Sequence, residues 1–164
     1  MTKNKIYNHI FLLFFIFILQ FYLPSIVFSN DLILFPDLLL IYLVYISVLY
    51  DKYYVILFGF IFGLLQDFIS QSNLLGLFAF SKTISGFLFG ILSRYDKVWK
   101  NLIKISFLFL TFEIHYLFAS YLMFDRNFTP FIYILKVSTI QTIFMLIILM
   151  IVNKFILIDN KIIK

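Results

Sequence analysis

Long apolar runs separated by short polar or charged stretches dominate this chain of 164 residues. At a rise of about 1.5 Å per residue, roughly 20 apolar residues form a helix that crosses about 30 Å of hydrocarbon. The pattern predicts six transmembrane helices, over residues 6–23, 32–50, 53–69, 74–93, 102–124 and 131–155. The connecting stretches are too short for a folded soluble domain, so a single all-α membrane domain is expected.

The composition supports this prediction, because 63% of the residues are hydrophobic and only 13% are charged. A soluble domain is about half apolar and about one quarter charged. This chain has too few polar residues to cover a water-facing surface. The excess apolar side chains are therefore expected to face the lipid bilayer.

The positions of the basic residues predict the orientation of the helices. With the amino terminus in the cytoplasm, ten of the thirteen Lys and Arg residues lie on the cytoplasmic side: Lys3, Lys5, Lys52, Arg94, Lys97, Lys100, Lys104, Lys154, Lys161 and Lys164. The outer loops contain only Arg126. This distribution follows the positive-inside rule and places both termini in the cytoplasm. It also explains the net charge of +5, so nucleic acid is not an expected partner.

The first apolar segment has a second interpretation. Lys3 and Lys5, the apolar run and the stretch Val27–Ser29 also fit a signal peptide with a cleavage site. The apolar run is long for a signal peptide, and a small-x-small end is not clear. A retained helix is therefore the favoured interpretation, and cleavage would leave five spans.

All five glycines lie between residues 59 and 90. Gly59 and Gly63 form one GxxxG pair in the third predicted helix, and Gly86 and Gly90 form another in the fourth; Gly76 lies near the turn between them. Small residues at this spacing let helix backbones approach closely in a membrane. We expect this hairpin to be the packing centre, with its small-residue surface facing either its neighbour or a second protein.

Three residues near predicted helix ends are further candidates. Pro36 and Asp37 fit the first turn of the second helix, where proline is tolerated and a carboxylate complements the positive helix end. A helix starting there is short for a full span. Asp67 lies near the outer end of the third helix, and it either caps the following turn or anchors another chain.

Lys82 and Glu113 lie at similar depths inside predicted helices. An ionisable group at that depth costs a few kcal/mol or more unless it is paired or hydrated. We therefore predict an intramembrane Lys82–Glu113 ion pair, with Gln141 nearby. A polar substrate or proton site is the alternative. His115 lies on a different side of its helix from Glu113 and carries no prediction.

Motifs for enzymatic chemistry are not visible in the sequence. There are no cysteines, no phosphate-binding loop, no HExxH and no nucleophile elbow. The two histidines, His9 and His115, lie far apart in the sequence. The chain is therefore expected to be non-enzymatic, with no cofactor and no metal site.

Residues 34–90 resemble the MreD family, the rod shape-determining membrane proteins of bacteria. The resemblance lies in the segments Phe35–Leu40, Asp51–Lys52, Gly59–Asp67, Leu75–Leu77 and Ser81–Thr83, and in Gly86. The first predicted helix and the part after Arg94 agree only in hydropathy. The resemblance implies a protein of the bacterial cytoplasmic membrane that acts in cell-wall elongation.

The resemblance also implies partners and a function. An MreD-like protein is a non-enzymatic scaffold that binds the bitopic protein MreC, and through it MreB and the glycan polymerase and transpeptidase. The glycine hairpin, Asp67 and Lys82 then become candidates for a partner-facing or core-packing surface. The family is similar in fold to substrate-binding subunits of energy-coupling-factor transporters. The alternative is therefore a small-solute-binding subunit with Lys82 and Glu113 as ligand contacts.

Overall fold

Six helices and one short β-hairpin make up the part of the chain that the computed structural model describes, residues 3–29, 32–70, 75–124 and 129–155. Their bounds are α1 Lys3–Tyr22, β1 Ile26–Ser29, β2 Leu32–Leu34, α2 Leu38–Leu49, α3 Lys52–Ser70, α4 Leu77–Arg94, α5 Asn101–Met123 and α6 Phe131–Phe155. The predicted helical architecture is confirmed. The predicted polar turn at residues 71–73, the outer loop with Arg126, and Lys161 and Lys164 lie outside the described residues.

Among the described residues, two helices are long and apolar enough to cross a bilayer by length and composition, Asn101–Met123 and Phe131–Lys154. The predicted number of six spans stays a prediction. Helices α3 and α4 are shorter, with 19 and 18 residues. Helix α4 contributes Lys82 to the site described below.

The second predicted helix begins later than the sequence pattern indicates. Residues 32–34 form strand β2, which pairs antiparallel with β1, and α2 begins only at Leu38. Pro36 precedes the helix, and Asp37 is its N-cap, with the side chain accepting a hydrogen bond from the backbone N–H of Leu40 at 2.9 Å. With 12 residues, α2 is about 18 Å long, so the helix by itself is shorter than the roughly 30 Å of hydrocarbon.

Helix α2 lies in the centre of the protein. Its residues Leu39, Leu40, Leu43 and Val44 are completely buried. A helix that is apolar on every side must be covered by other helices or by lipid, and here other helices cover it. Its N-terminus, with Asp37, therefore lies inside the protein.

Helices α3 and α4 pack with their backbones in direct contact. A Cβ atom built on Gly63 would overlap the backbone of Ala79 and the carbonyl oxygen of Phe78. A Cβ atom on Gly59 would lie 2.5 Å from the carbonyl oxygen of Lys82, and one on Gly86 would lie 2.7 Å from that of Val55. The two GxxxG pairs thus face the partner helix of the same hairpin.

Gly90, the second glycine of the pair on α4, lies closest to a side chain of α3. A Cβ atom on Gly90 would lie 2.7 Å from Cγ of Lys52, whose ammonium group stands 3.6 Å above the ring centre of Phe87. The lysine stem therefore packs across α4 near the start of α3. Gly76 does not contribute to this close packing: it precedes α4 with a φ of 96°, a backbone conformation that favours glycine.

Candidate functional site

A buried cluster of polar side chains lies where the N-terminus of α2 meets α4 and α5. The carboxylate of Asp37 forms an ion pair with the ammonium group of Lys82, and the two residues are 3% and 0% exposed. The Nε2 atom of His115, on α5, lies 3.8 Å from the same carboxylate oxygen, Oδ2. His115 is also completely buried. Three ionisable side chains from three helices thus converge inside the bundle.

Asp37 connects this cluster to a fourth helix. Its backbone N–H donates to the sulfur of Met145 on α6 at 3.4 Å, while its second carboxylate oxygen caps α2. One residue therefore contacts α4, α5 and α6 and also starts α2. Removing one member of a buried ion pair leaves an uncompensated charge, so these contacts are expected to depend on one another.

The predicted Lys82–Glu113 pair is corrected by this geometry. Glu113 instead accepts hydrogen bonds from the hydroxyl groups of Ser138 at 2.7 Å and Thr139 at 3.3 Å, both on α6. Positions 113 and 115 are about 200° apart around a helix. Because His115 faces Asp37 and Lys82, Glu113 faces α6. Similar depth in the membrane does not bring two side chains together unless their helices are also rotated toward each other.

Two glutamine side chains hold the extended segment before α2. The amide of Gln141, on α6, bonds to both the N–H and the carbonyl oxygen of Phe35. Gln20, on α1, donates to the carbonyl oxygen of Pro36 at 2.9 Å and accepts from the N–H of Leu38 at 2.7 Å. Backbone groups outside regular structure need such partners within a membrane. Gln141 therefore binds the backbone of Phe35. It was expected to lie near a Lys82–Glu113 pair, which the structure does not contain.

Asp67 caps the start of α4 from the end of α3. Its two carboxylate oxygens accept hydrogen bonds from the backbone N–H groups of Gly76, Phe78 and Ala79 at 2.9–3.1 Å. The first N–H groups of a helix have no partner within the helix, and a carboxylate satisfies them well. Asp67 is 1% exposed, so it ties the two helices together from inside. This geometry corresponds to the capping interpretation.

A family model described as rod shape-determining protein MreD matches residues 2–159. The chain belongs to the MreD family. No curated protein and no solved structure matches it. Membership of the MreD family places the protein at a bacterial membrane and gives it a role in the determination of rod shape.

The segments that resemble MreD proteins in sequence contain Asp37 and Lys82 of the buried cluster and several residues of the close-packed hairpin. Asp37 and Lys82 come from two of these segments and pair with each other. Gly59, Gly63 and Asp67 come from a third, and they contact α4 through its backbone. The resemblance is therefore concentrated at contacts among α2, α3 and α4.

The same cluster contains a serine next to the histidine. The Oγ atom of Ser85 lies 3.3 Å from Nδ1 of His115, on the opposite side of the ring from Asp37. A serine, a histidine and a carboxylate are the groups of a nucleophilic triad. Here the hydroxyl group of Ser85 donates to the carbonyl oxygen of Ser81 at 2.9 Å, and all three side chains are buried. The Ser85 hydroxyl group therefore lies inside the helix bundle, away from the protein surface.

Sequence reasoning missed His115 as a member of the site. The signal available in the sequence was a histidine in the middle of an apolar helix, a position where polar residues are costly. Within the described residues, no group of three or more histidine, aspartate or glutamate side chains could hold a metal ion.

Proposed function

We propose that this MreD-family protein is a non-enzymatic scaffold of the cell-elongation machinery in the bacterial cytoplasmic membrane. It spans the membrane several times, with both termini in the cytoplasm. It binds a bitopic membrane protein of the MreC type and so connects MreB with the glycan polymerase and transpeptidase. Its contribution to side-wall synthesis is to hold these partners together.

The observation that carries this proposal is the internal pairing of Asp37 with Lys82. Both residues are almost completely buried, and their charges are balanced within the protein. Charged side chains that bind a transported solute usually line a pathway or a cavity. An ion pair enclosed by helices instead supports one fixed arrangement of those helices. A fixed shape is what a scaffold needs.

The competing hypothesis of a small-solute-binding subunit used Lys82 and Glu113 as joint ligand contacts. In the structure these side chains have different partners, Asp37 for Lys82 and two hydroxyl groups of α6 for Glu113. The two charges therefore do not face one common space. The geometry supports the scaffold better.

Affinity purification from detergent-solubilised membranes tests this proposal. We expect the tagged protein to recover a bitopic membrane protein with a large extracytoplasmic part, identified by mass spectrometry. An unrelated multi-span protein with the same tag and abundance is the control. Recovery of paired ATPases without a bitopic partner would contradict the scaffold and favour the transport subunit.

A further inference from the structure

The turn between α4 and α5 has a defined conformation. The backbone N–H groups of Val98 and Trp99 both donate to the carbonyl oxygen of Tyr95 at 3.0 Å. The rings of Tyr95 and Trp99 are stacked, with centres 5.5 Å apart and planes 10° from parallel. The Trp99 ring also packs on Phe107 of α5, at 5.1 Å. These contacts attach the turn to the end of the bundle.

The charges of this turn are unbalanced. Asp96 is the only acidic residue between positions 94 and 104, and it pairs with the ammonium group of Lys104. Arg94, Lys97 and Lys100 are exposed, and no salt bridge involves them within the described part of the chain. Three cations within seven consecutive residues are therefore free to attract an anion.

An apolar side chain lies among these cations. Val98 is 77% exposed and follows Lys97 directly. The combination of basic side chains, an exposed apolar residue and a stacked Tyr–Trp pair is typical of the boundary between headgroups and acyl chains. In the predicted orientation this turn lies at the cytoplasmic leaflet, whose anionic lipids attract basic segments.

We propose that the α4–α5 turn binds the headgroup of an anionic phospholipid. Arg94, Lys97 and Lys100 contact its phosphate, and Val98 enters the acyl region beside it. The positive-inside rule accounts for basic residues on this side, but it requires neither the neutralised Asp96 nor the exposed Val98. Charge complementarity and the apolar tip together favour a lipid over an acidic protein, which would not need an inserted valine.

The test uses the purified full-length protein in neutral detergent. Phosphatidylglycerol and phosphatidylcholine are titrated in turn, and bound lipid is counted by native mass spectrometry. We expect phosphatidylglycerol to bind more tightly. Each cation near an anionic surface contributes roughly fivefold to affinity, so the triple variant R94Q/K97Q/K100Q should bind it about one hundredfold more weakly. The control K3Q/K5Q/K136Q removes the same number of charges from α1 and α6 and should bind like the unchanged protein.

A second variant keeps all the cations in case the triple variant does not fold. Val98→Asp places a carboxylate at the tip of the turn, and it should also lower the preference for phosphatidylglycerol. Equal binding of the two lipids by the unchanged protein would overturn the proposal. Equal losses of phosphatidylglycerol binding in the triple variant and in its control would also overturn the proposal. Loss of a copurifying protein from the triple variant with lipid binding unchanged would assign the turn to an acidic protein partner instead.

Discussion

Replacing Gly63 with valine is expected to separate α3 from α4 and to lower the free energy of unfolding by about 3 kcal/mol or more. Any side chain at this position overlaps the backbone of Ala79 and the carbonyl oxygen of Phe78. Backbone atoms cannot rotate away as a side chain can, so the helices themselves must move. That movement also disturbs the cap formed by Asp67, because Ala79 donates one of its hydrogen bonds. Unfolding of the purified protein by titration with SDS measures the loss.

Gly76→Ala is the matched control for this variant. Among the described residues, and apart from the two chain neighbours, no heavy atom lies within 4 Å of a Cβ atom at position 76. The cost arises only from the left-handed backbone, with its φ of 96°, and is about 1 kcal/mol. Equal stability of Gly63→Val and Gly76→Ala would contradict the close approach of α3 and α4.

Asp37→Asn and Lys82→Met are each expected to destabilise the protein by about 3–5 kcal/mol, because each leaves one buried charge without its partner. The double variant should be much more stable than the sum of these losses predicts, since it contains neither charge. Asparagine retains an oxygen that can cap α2, so the cap at Leu40 is kept in both variants. The coupling between the two positions follows from the four unfolding free energies.

Glu113→Gln combined with Lys82→Met is the control for that coupling. Glu113 accepts hydrogen bonds from Ser138 and Thr139 and does not pair with Lys82, so the two losses should add. Strong coupling between positions 82 and 113, with additive losses at 37 and 82, would contradict the structure. That result would instead support the Lys82–Glu113 ion pair that the similar depth of the two residues predicts.

Several parts of this structure follow directly from sequence patterns. Apolar runs identify each of the six helices, because their length and hydropathy exceed what loops contain. The spacing of four between Gly59 and Gly63, and between Gly86 and Gly90, indicates close helix packing, and the structure shows those contacts. Capping by Asp67 was one of two interpretations, since a carboxylate just before a turn suits the next helix N-terminus.

Other parts require three-dimensional information. The sequence gives the depth of Lys82 along its helix but not the direction in which its side chain points. The partner of Lys82 depends on both. Asp37 appeared only as a helix-cap residue, although it also provides the counter-charge for Lys82. The apolar run predicts helix for Leu32–Leu34, which form strand β2, because apolar residues suit either conformation. Pro36 was the local signal that α2 begins after it.

In the proposed function, the Asp37–Lys82 pair keeps the helices of the scaffold in one arrangement and takes part in no reaction. The most direct test is cell shape in a rod-shaped host that is depleted of its own MreD protein and expresses a variant. We expect Asp37→Asn and Lys82→Met to give round cells and the double variant to restore rods. Round cells with the double variant present in the membrane at the abundance of the unchanged protein would contradict the claim, because the charges themselves would then be required.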